Sequence, residues 1–281
     1  MAVVLITGCS SGFGMLAAVE FARRGDTVFA TMRNLEKSGS LQAAAEEAGV
    51  NLEILRLDVT DLASVRRAVA GVLARVGRID VLVNNAGIGV VAAIEDFDDD
   101  EIQKVFDTNL FGAIRLIRAV LPGMRAQRSG RIVNVGSMSG VVPSQFRGIY
   151  SATKSGLASI TESLFYELHP FGIHACVIEP GFFETAIDAN RLQTRRQATS
   201  AYAPLLEKYE PAGSRVPAGS KRVDPAPVVE AIVQAATGDD PRRRYVVGKD
   251  AEALADLRKR LPDEEFGQLV LRSMPSLDDG A

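Results

Sequence analysis

From the first residue to about Gly181, short runs of β-branched and aliphatic residues alternate with longer stretches in which apolar side chains recur at helical spacing. That alternation is the mark of successive parallel βαβ units. It predicts strands over residues 3–7, 27–30, 52–58, 81–84, 132–137, 173–179 and 245–247, and helices over 14–24, 40–48, 62–76, 99–128, 151–168 and 227–237. The expected fold class is α/β, a doubly wound parallel seven-stranded sheet with helices on both faces.

The helix ends carry their own signals. Gly25, Gly49 and Gly77 stand where helices should stop, because glycine accepts the left-handed conformation beyond a helix end. Asp61 reads as an N-cap. The acid run Asp98, Asp99, Asp100 and Glu101 opens another helix, where the macrodipole alone favours carboxylates, so no metal site is assigned to it. The rhythm breaks over about 186–226, which mixes short helical pieces with Pro204, Pro211, Gly213, Pro217 and Gly219 and carries Tyr202 and Tyr209. A long irregular stretch in a compact domain points to function, and this one is read as a substrate-binding lid. A charged C-terminal extension follows over about 249–281, with an amphipathic helix near 251–260. With no internal repeat and no Pro- or Ser-rich linker, residues 1–281 are expected to form a single domain.

Composition agrees with a folded enzyme-sized core: 47% of residues are hydrophobic and 24% charged, which argues against disorder. The formal charge of -3 offers no field for nucleic acid. Cys9 and Cys176 fall in a turn and a buried strand, far apart in sequence, so reduced thiols and a cytoplasmic location are expected rather than a disulfide framework. The apolar run from Val3 to Ile6 ends at once in Thr7 and Gly8, leaving no room for a secretion leader. No uninterrupted apolar stretch approaches the ~20 residues of a membrane span.

Residues 7–14 read Thr-Gly-Cys-Ser-Ser-Gly-Phe-Gly, directly after the first strand and into the first helix. There a glycine-rich turn lets the backbone approach a pyrophosphate at a helix N-terminus, which makes Gly8, Ser10, Ser11, Gly12, Phe13 and Gly14 candidate cofactor contacts. The spacing is Gly-x-x-x-Gly-x-Gly and not the common Gly-x-Gly-x-x-Gly. It resembles the classical short-chain dehydrogenase/reductase family, whose fold is of Rossmann type. The resemblance continues in order along the chain. Asp58 and Val59 are similar to that family's aspartate near adenine, and Asn84, Asn85, Ala86 and Gly87 to its Asn-Asn-Ala-Gly motif. Asn109 is similar to its mid-helix asparagine, Ser137 to its serine, Tyr150 and Lys154 to its active-site pair, and Pro180 and Gly181 with Thr185 to its loop over the nicotinamide. The resemblance implies a nicotinamide-dependent oxidoreductase acting on a CH–OH group, with these residues and Phe183 around the cofactor.

In a dinucleotide fold an acid after the second strand holds the ribose 2′-hydroxyl, whereas an arginine there accommodates a 2′-phosphate. Here Arg33 occupies that turn and no acid does, which predicts NADP(H) over NAD(H). Tyr150 and Lys154, four residues apart at a helix start, share one face. A free phenol has a pKa of about 10, and a neighbouring ammonium lowers it toward a useful acid/base. The resemblance further implies that Lys154 bonds the ribose, Ser137 orients the substrate oxygen, and Asn109 holds a water leading to Lys154. His169 and His174 read as a helix end and a strand start and receive no role. No metal is expected.

The run Val3 to Gly12 and the run Phe29 to Leu35 resemble the branch of 17β-hydroxysteroid and retinol dehydrogenases, so the expected partner is a small hydrophobic carbonyl or alcohol, steroid-, retinoid- or polyketide-like. Val141, Val142, Phe146, Phe182, Phe183 and Tyr202 flank the motifs and are expected to wall its pocket. Leu110, Phe111, Ala113, Ile114, Leu116, Ile117 and Val120 exceed a single sheet-covering stripe, and in the family the corresponding helices pair across a two-fold axis, so a homodimer or a homotetramer is expected. Two alternatives stand beside this reading: reduction of a carrier-bound β-ketoacyl group, with Arg125, Arg128 and Arg131 as a weak docking patch, and an NADP(H)-binding sensor without turnover.

Overall fold

Successive residues of the inner strands point to opposite sides of the sheet, and both sides are apolar, so each strand feeds two cores at once. In β1 (Val3–Ile6) the side chains of Val4 and Ile6 enter one core and those of Val3 and Leu5 the other. In β4 (Val81–Asn84), β5 (Gly130–Val135) and β6 (Ile173–Pro180) the same division recurs, Val83, Val133 and Ile178 on one side and Leu82, Ile132 and Ala175 on the other. With β2 (Thr27–Met32), β3 (Glu53–Arg56) and β7 (Arg244–Val247) they form one parallel sheet in the order β3-β2-β1-β4-β5-β6-β7. This computed structural model describes residues 1–183, 191–196, 199–213 and 224–272.

Helices cover both faces. α1 (Gly12–Arg23), α2 (Gly39–Glu47) and α8 (Ala226–Thr237) supply Ala17, Phe21, Leu41, Val228 and Ile232 to the first core. α3 (Leu62–Val76), α5 (Gly112–Gln127) and α6 (Gly148–Leu168) supply Val65, Val69, Leu116, Val120 and Leu164 to the second. Local signals act where the sequence places them: Asp61 accepts from the Ala63 amide at 2.8 Å to cap α3, and Gly77 ends it at φ 76°. The strand order reverses between β1 and β4, which opens a crevice at their carboxyl ends.

The stretch expected as one helix over 99–128 is divided. α4 (Asp99–Phe106) passes through a single π-helical turn, Asp107–Phe111, before α5 begins. One wide turn inside a continuous helical rise leaves the apolar period almost unchanged, and it rotates Asn109 into the interior, where it is 2% exposed. The acid run at the start of α4 has partners as well as a dipole: Glu101 accepts from the Asp98 amide at 2.9 Å, and Arg195 and Arg196 pair with Asp98 at 2.8 and 2.7 Å, Arg195 also with Asp100.

Beyond the sheet lie α7 (Ala203–Gly213), α9 (Lys249–Arg260) and α10 (Asp263–Arg272), the last not anticipated in the charged tail. Its Phe266 joins Ala251 and Ala255 of α9 in packing on Met138 and Val142. Of the residues expected at a dimer face, Leu116, Ile117 and Val120 are consumed by the second core, and Leu110 and Ala113 pack on Leu157 of α6. Phe111 stays 38% exposed.

Candidate active site

The turn after β1 is built around contacts that exclude side chains. Gly8 has φ 73°, and a Cβ there would stand 2.8 Å from the Ala86 Cα. At Gly14 a Cβ would overlap the Asn85 amide group. Asn85 earns that closeness by donating from Nδ2 to the carbonyls of Thr7 and Gly8 at 2.9 and 3.1 Å. Thr7 Oγ1 in turn accepts from the amides of Asn85 and Ala86, both at 3.0 Å, and donates to the Val83 carbonyl at 3.3 Å. The ends of β1 and β4 are thereby joined, and Ser11 opens α1 with no side-chain cap on its first amides. Cys9 within this turn is buried, which pushes its thiol up to about 12 and makes it inert.

A cleft of about 780 Å³ lies over these strand ends, within the size range of ligand pockets. Gly8, Ser10, Ser11, Gly12 and Phe13 form its floor, and Met32, Arg33, Asn34, Lys37 and Ser40 one end. Asp58, Val59, Asn85, Ala86 and Gly87 form a side wall. Ser137, Tyr150, Lys154, Pro180, Gly181, Phe182 and Phe183 surround the other end. Asp58 Oδ1 accepts from the amide and hydroxyl of Thr60 at 2.9 and 2.7 Å, which fixes its turn. A floor that excludes side chains beside the bare amides of a helix N-terminus, with a cationic end at Arg33 and Lys37, fits the pyrophosphate and ribose of a dinucleotide.

Tyr150 and Lys154 stand one turn apart on α6, with the ammonium 5.7 Å from the centroid of the phenol ring. Lys154 is 4% exposed and donates from Nζ to the Val135 carbonyl at 2.8 Å; burial brings its pKa down to about 8. Ser137, two residues past that carbonyl, accepts from the Ser139 amide at 3.1 Å. The 3-10 turn Met138–Gly140 lies directly on α6, where Ser155 donates to the Gly140 carbonyl at 2.7 Å. Serine, tyrosine and lysine are thus held by one strand end and one helix. Asn109 lies behind the cleft wall, accepting from the Ile88 amide at 2.8 Å and donating to its carbonyl at 2.9 Å and to Thr153 at 3.3 Å.

Three further features escape the sequence pattern. A buried polar chain runs from Asn84 through Asn134 to Thr161, each bond 2.8 Å, and ties the sheet to α6. Arg147, one turn before Tyr150, lines the cleft. Phe146 holds the left-handed conformation at φ 61° between Tyr202 and Tyr209, its ring centroid 6.0 and 5.5 Å from theirs. Backbone strain of this kind persists where surrounding packing fixes it.

The residues expected to wall a substrate pocket divide. Phe182, 42% exposed, and Phe183 line the cleft, and Phe183 stacks edge-on against Phe13 with centroids 5.9 Å apart. Phe146 and Tyr202 pack with Val91, Ala93 and Leu206 of the neighbouring loop and α7. Val141 and Val142 pack under α9 and α10. Thr185 lies outside the described residues, as does much of 186–226.

A family model described as short chain dehydrogenase matches residues 2–196. The 3-ketodihydrosphingosine reductase of Bacteroides thetaiotaomicron is 39% identical over 189 residues, 67% of this chain and 66% of that protein, so the chain spans just under two thirds of its length. Human retinol dehydrogenase 8 is 39% identical over 254 residues, 86% of this chain and 79% of that protein. Mouse 17-beta-hydroxysteroid dehydrogenase type 1 is 36% identical over 274 residues, 92% and 77%. Among solved structures, a variant of actinorhodin polyketide ketoreductase with NADPH superposes with a TM-score of 0.75 at 31% identity, covering 88% of this chain and 95% of that one.

Proposed function

The chain belongs to the short-chain dehydrogenase family, and we propose that it uses NADP(H) to interconvert a ketone or aldehyde and an alcohol on a hydrophobic substrate, with Tyr150 as the acid/base. That it is an oxidoreductase of alcohol and carbonyl groups follows from the family and from relatives named as dehydrogenases and reductases. The observation that carries the finer reading is the buried ammonium of Lys154, fixed on the Val135 carbonyl beside the Tyr150 ring.

The nicotinamide, when bound, gives or takes the hydride at the carbinol carbon. In reduction the Tyr150 hydroxyl gives its proton to the carbonyl oxygen as that oxygen gains charge; in oxidation the phenolate takes the alcohol proton. The Lys154 cation, 5.7 Å from the ring centroid, favours the phenolate over the phenol. Ser137, whose Oγ already accepts from Ser139, has its own hydrogen to donate to the substrate oxygen. Asn109, whose side chain bonds both backbone groups of Ile88, fixes the loop after β4 and would hold a water that leads to Lys154.

Gly8 to Gly14, Asp58, Val59, Asn85 to Gly87 and the Pro180–Phe183 loop would hold the dinucleotide, with Thr185 from the resemblance alone. Arg33, with Lys37 beside it and no acid at the turn, supports the 2′-phosphate, as does the NADPH complex of the ketoreductase relative. The apolar side chains of Phe182 and Phe183, the Phe146–Tyr202–Tyr209 cluster and the names of the retinol and hydroxysteroid relatives support a hydrophobic substrate. Val141 and Val142 then act indirectly, by seating the Ser137 turn. Likeness to a polyketide ketoreductase gives a β-ketoacyl compound as the second substrate class.

We further take the chain to act as one domain in the cytoplasm and as a homodimer through α5 and α6, where Phe111 just before α5 and Tyr166 on α6 are 38% and 59% exposed. Among the described residues no helix is long and apolar enough to cross a membrane. Light scattering at micromolar concentration checks the dimer, and a monomer would refute it. Consumption of NADPH and NADH against a steroid ketone, a retinal, an aromatic ketone and a β-ketoester checks the reaction: NADPH-dependent turnover of at least one apolar carbonyl is expected, and turnover with NADH alone would contradict it.

A further inference from the structure

We propose that Asp250, in the first turn of α9, is a positioning residue that holds the loop at Pro180–Phe183 in the form that receives the nicotinamide half of the cofactor, so that the C-terminal extension completes the cofactor site. The inference rests on the cofactor reading above.

The loop leaves the sheet at the end of β6, and two bonds tie it to the turn between β7 and α9. The Gly181 amide donates to the Val247 carbonyl at 2.8 Å, continuing the strand pairing by one residue. The Phe182 amide then donates to Asp250 Oδ2 at 2.6 Å, the short length of a charge-assisted bond. The carboxylate lies so close over Gly181 that any Cβ there would overlap it, so the glycine and the aspartate fit one another.

The same turn supports the next residue. Gly248 adopts φ 111°, and a Cβ on it would stand 2.7 Å from Asp250 Oδ1 and 3.2 Å from the Phe183 ring. Phe183 meets Phe13 of the phosphate loop edge-on at 5.9 Å. A continuous set of contacts thus runs from the phosphate loop through Phe183 to the start of α9. The extension also reaches the chemistry from the other side, since Ala251 and Ala255 pack on Met138, next to Ser137. A carboxylate in the first turn of a helix is favoured by the dipole in any case; that role touches stability and does not distinguish one half of a dinucleotide from the other.

The experiment compares ligands that share the adenosine half. The reduced nicotinamide is itself fluorescent, so NADPH emission reports binding directly. Asp250→Ala should weaken NADPH about tenfold, the loss of one charge-assisted bond, while adenosine 2′,5′-bisphosphate, measured calorimetrically, changes by less than about twofold. Asp250→Asn keeps an acceptor for the Phe182 amide and should stay within about threefold of the parent. Unchanged NADPH binding in Asp250→Ala, equal weakening of both ligands, or failure of the asparagine to rescue would overturn the proposal. NADH with AMP repeats the comparison for the other cofactor. If the parent protein binds no dinucleotide, the cofactor reading fails, and hydrogen exchange of the 180–183 segment in the free protein still decides on Asp250: faster exchange in Asp250→Ala is expected, and unchanged exchange contradicts it.

Discussion

The ammonium of Lys154 donates to the carbonyl oxygen of Val135 at 2.8 Å, so a helix side chain is anchored on the last residue of β5, two residues before Ser137. One strand end therefore sets both the cation and the serine. The cation is buried, and its pKa falls to about 8, which leaves it mostly charged at neutral pH at a cost to the fold.

The size of that cost is testable. Unfolded, the lysine keeps its ordinary value of 10.5, so between about 8 and 10.5 the unfolded chain binds more protons and stability rises with pH. Below that window the protein carries a constant penalty of about 3 kcal/mol. Lys154→Met removes the penalty and one hydrogen bond worth about 1 kcal/mol. At pH 7 the variant should be more stable than the parent by about 2 kcal/mol, with the gap closing by pH 10, while turnover is lost. Calorimetry at both pH values checks this; a variant destabilised at pH 7 would show that the burial penalty is small.

Much of the frame was legible in local pattern, because strands buried on both faces are short apolar runs and the turn at Gly8–Gly14 must exclude side chains. Spacing alone placed Tyr150 and Lys154 on one face. What escaped is set by partners distant in sequence. The π turn that rotates Asn109 inward hides inside an unbroken helical period. The acid run at Asp98–Glu101 reads as dipole stabilisation until Arg195, whose amide bonds Glu101 across 94 residues, appears beside it. Asn84, Asn134 and Thr161 look like scattered polar residues in sequence and form one buried chain in space. The expected substrate wall mixed two packing clusters with the cleft-lining pair Phe182 and Phe183, because flanking a motif does not fix which side of the turn a side chain takes.

Arg33 is tested by its charge. Arg33→Asp removes the group at the end of the cleft and places there a carboxylate that can accept from a ribose 2′-hydroxyl. The ratio of kcat/KM for NADPH over NADH should fall at least about tenfold, equivalent to about 1.4 kcal/mol. An unchanged ratio would mean that Arg33 does not meet the 2′-phosphate.

The segment 191–196 is tied to α4 by Arg195 and Arg196 on Asp98 and Asp100, pairs that are exposed and screened by salt. Raising salt from about 0.05 to 0.5 M should raise KM for the carbonyl substrate about two- to threefold with the KM for NADPH unmoved. Arg195→Gln should show the high-salt KM at every ionic strength. Steady-state kinetics across that range decides; a KM insensitive to salt in the parent would sever this tie from substrate binding.

In the proposed reaction Tyr150 transfers the proton. Tyr150→Phe keeps the ring beside Lys154 and removes only the hydroxyl, so NADPH should bind as in the parent while kcat for any carbonyl substrate falls by at least about 100-fold, the usual scale of acid/base catalysis. Turnover within about tenfold of the parent, with intact NADPH binding, would mean that another group carries the proton.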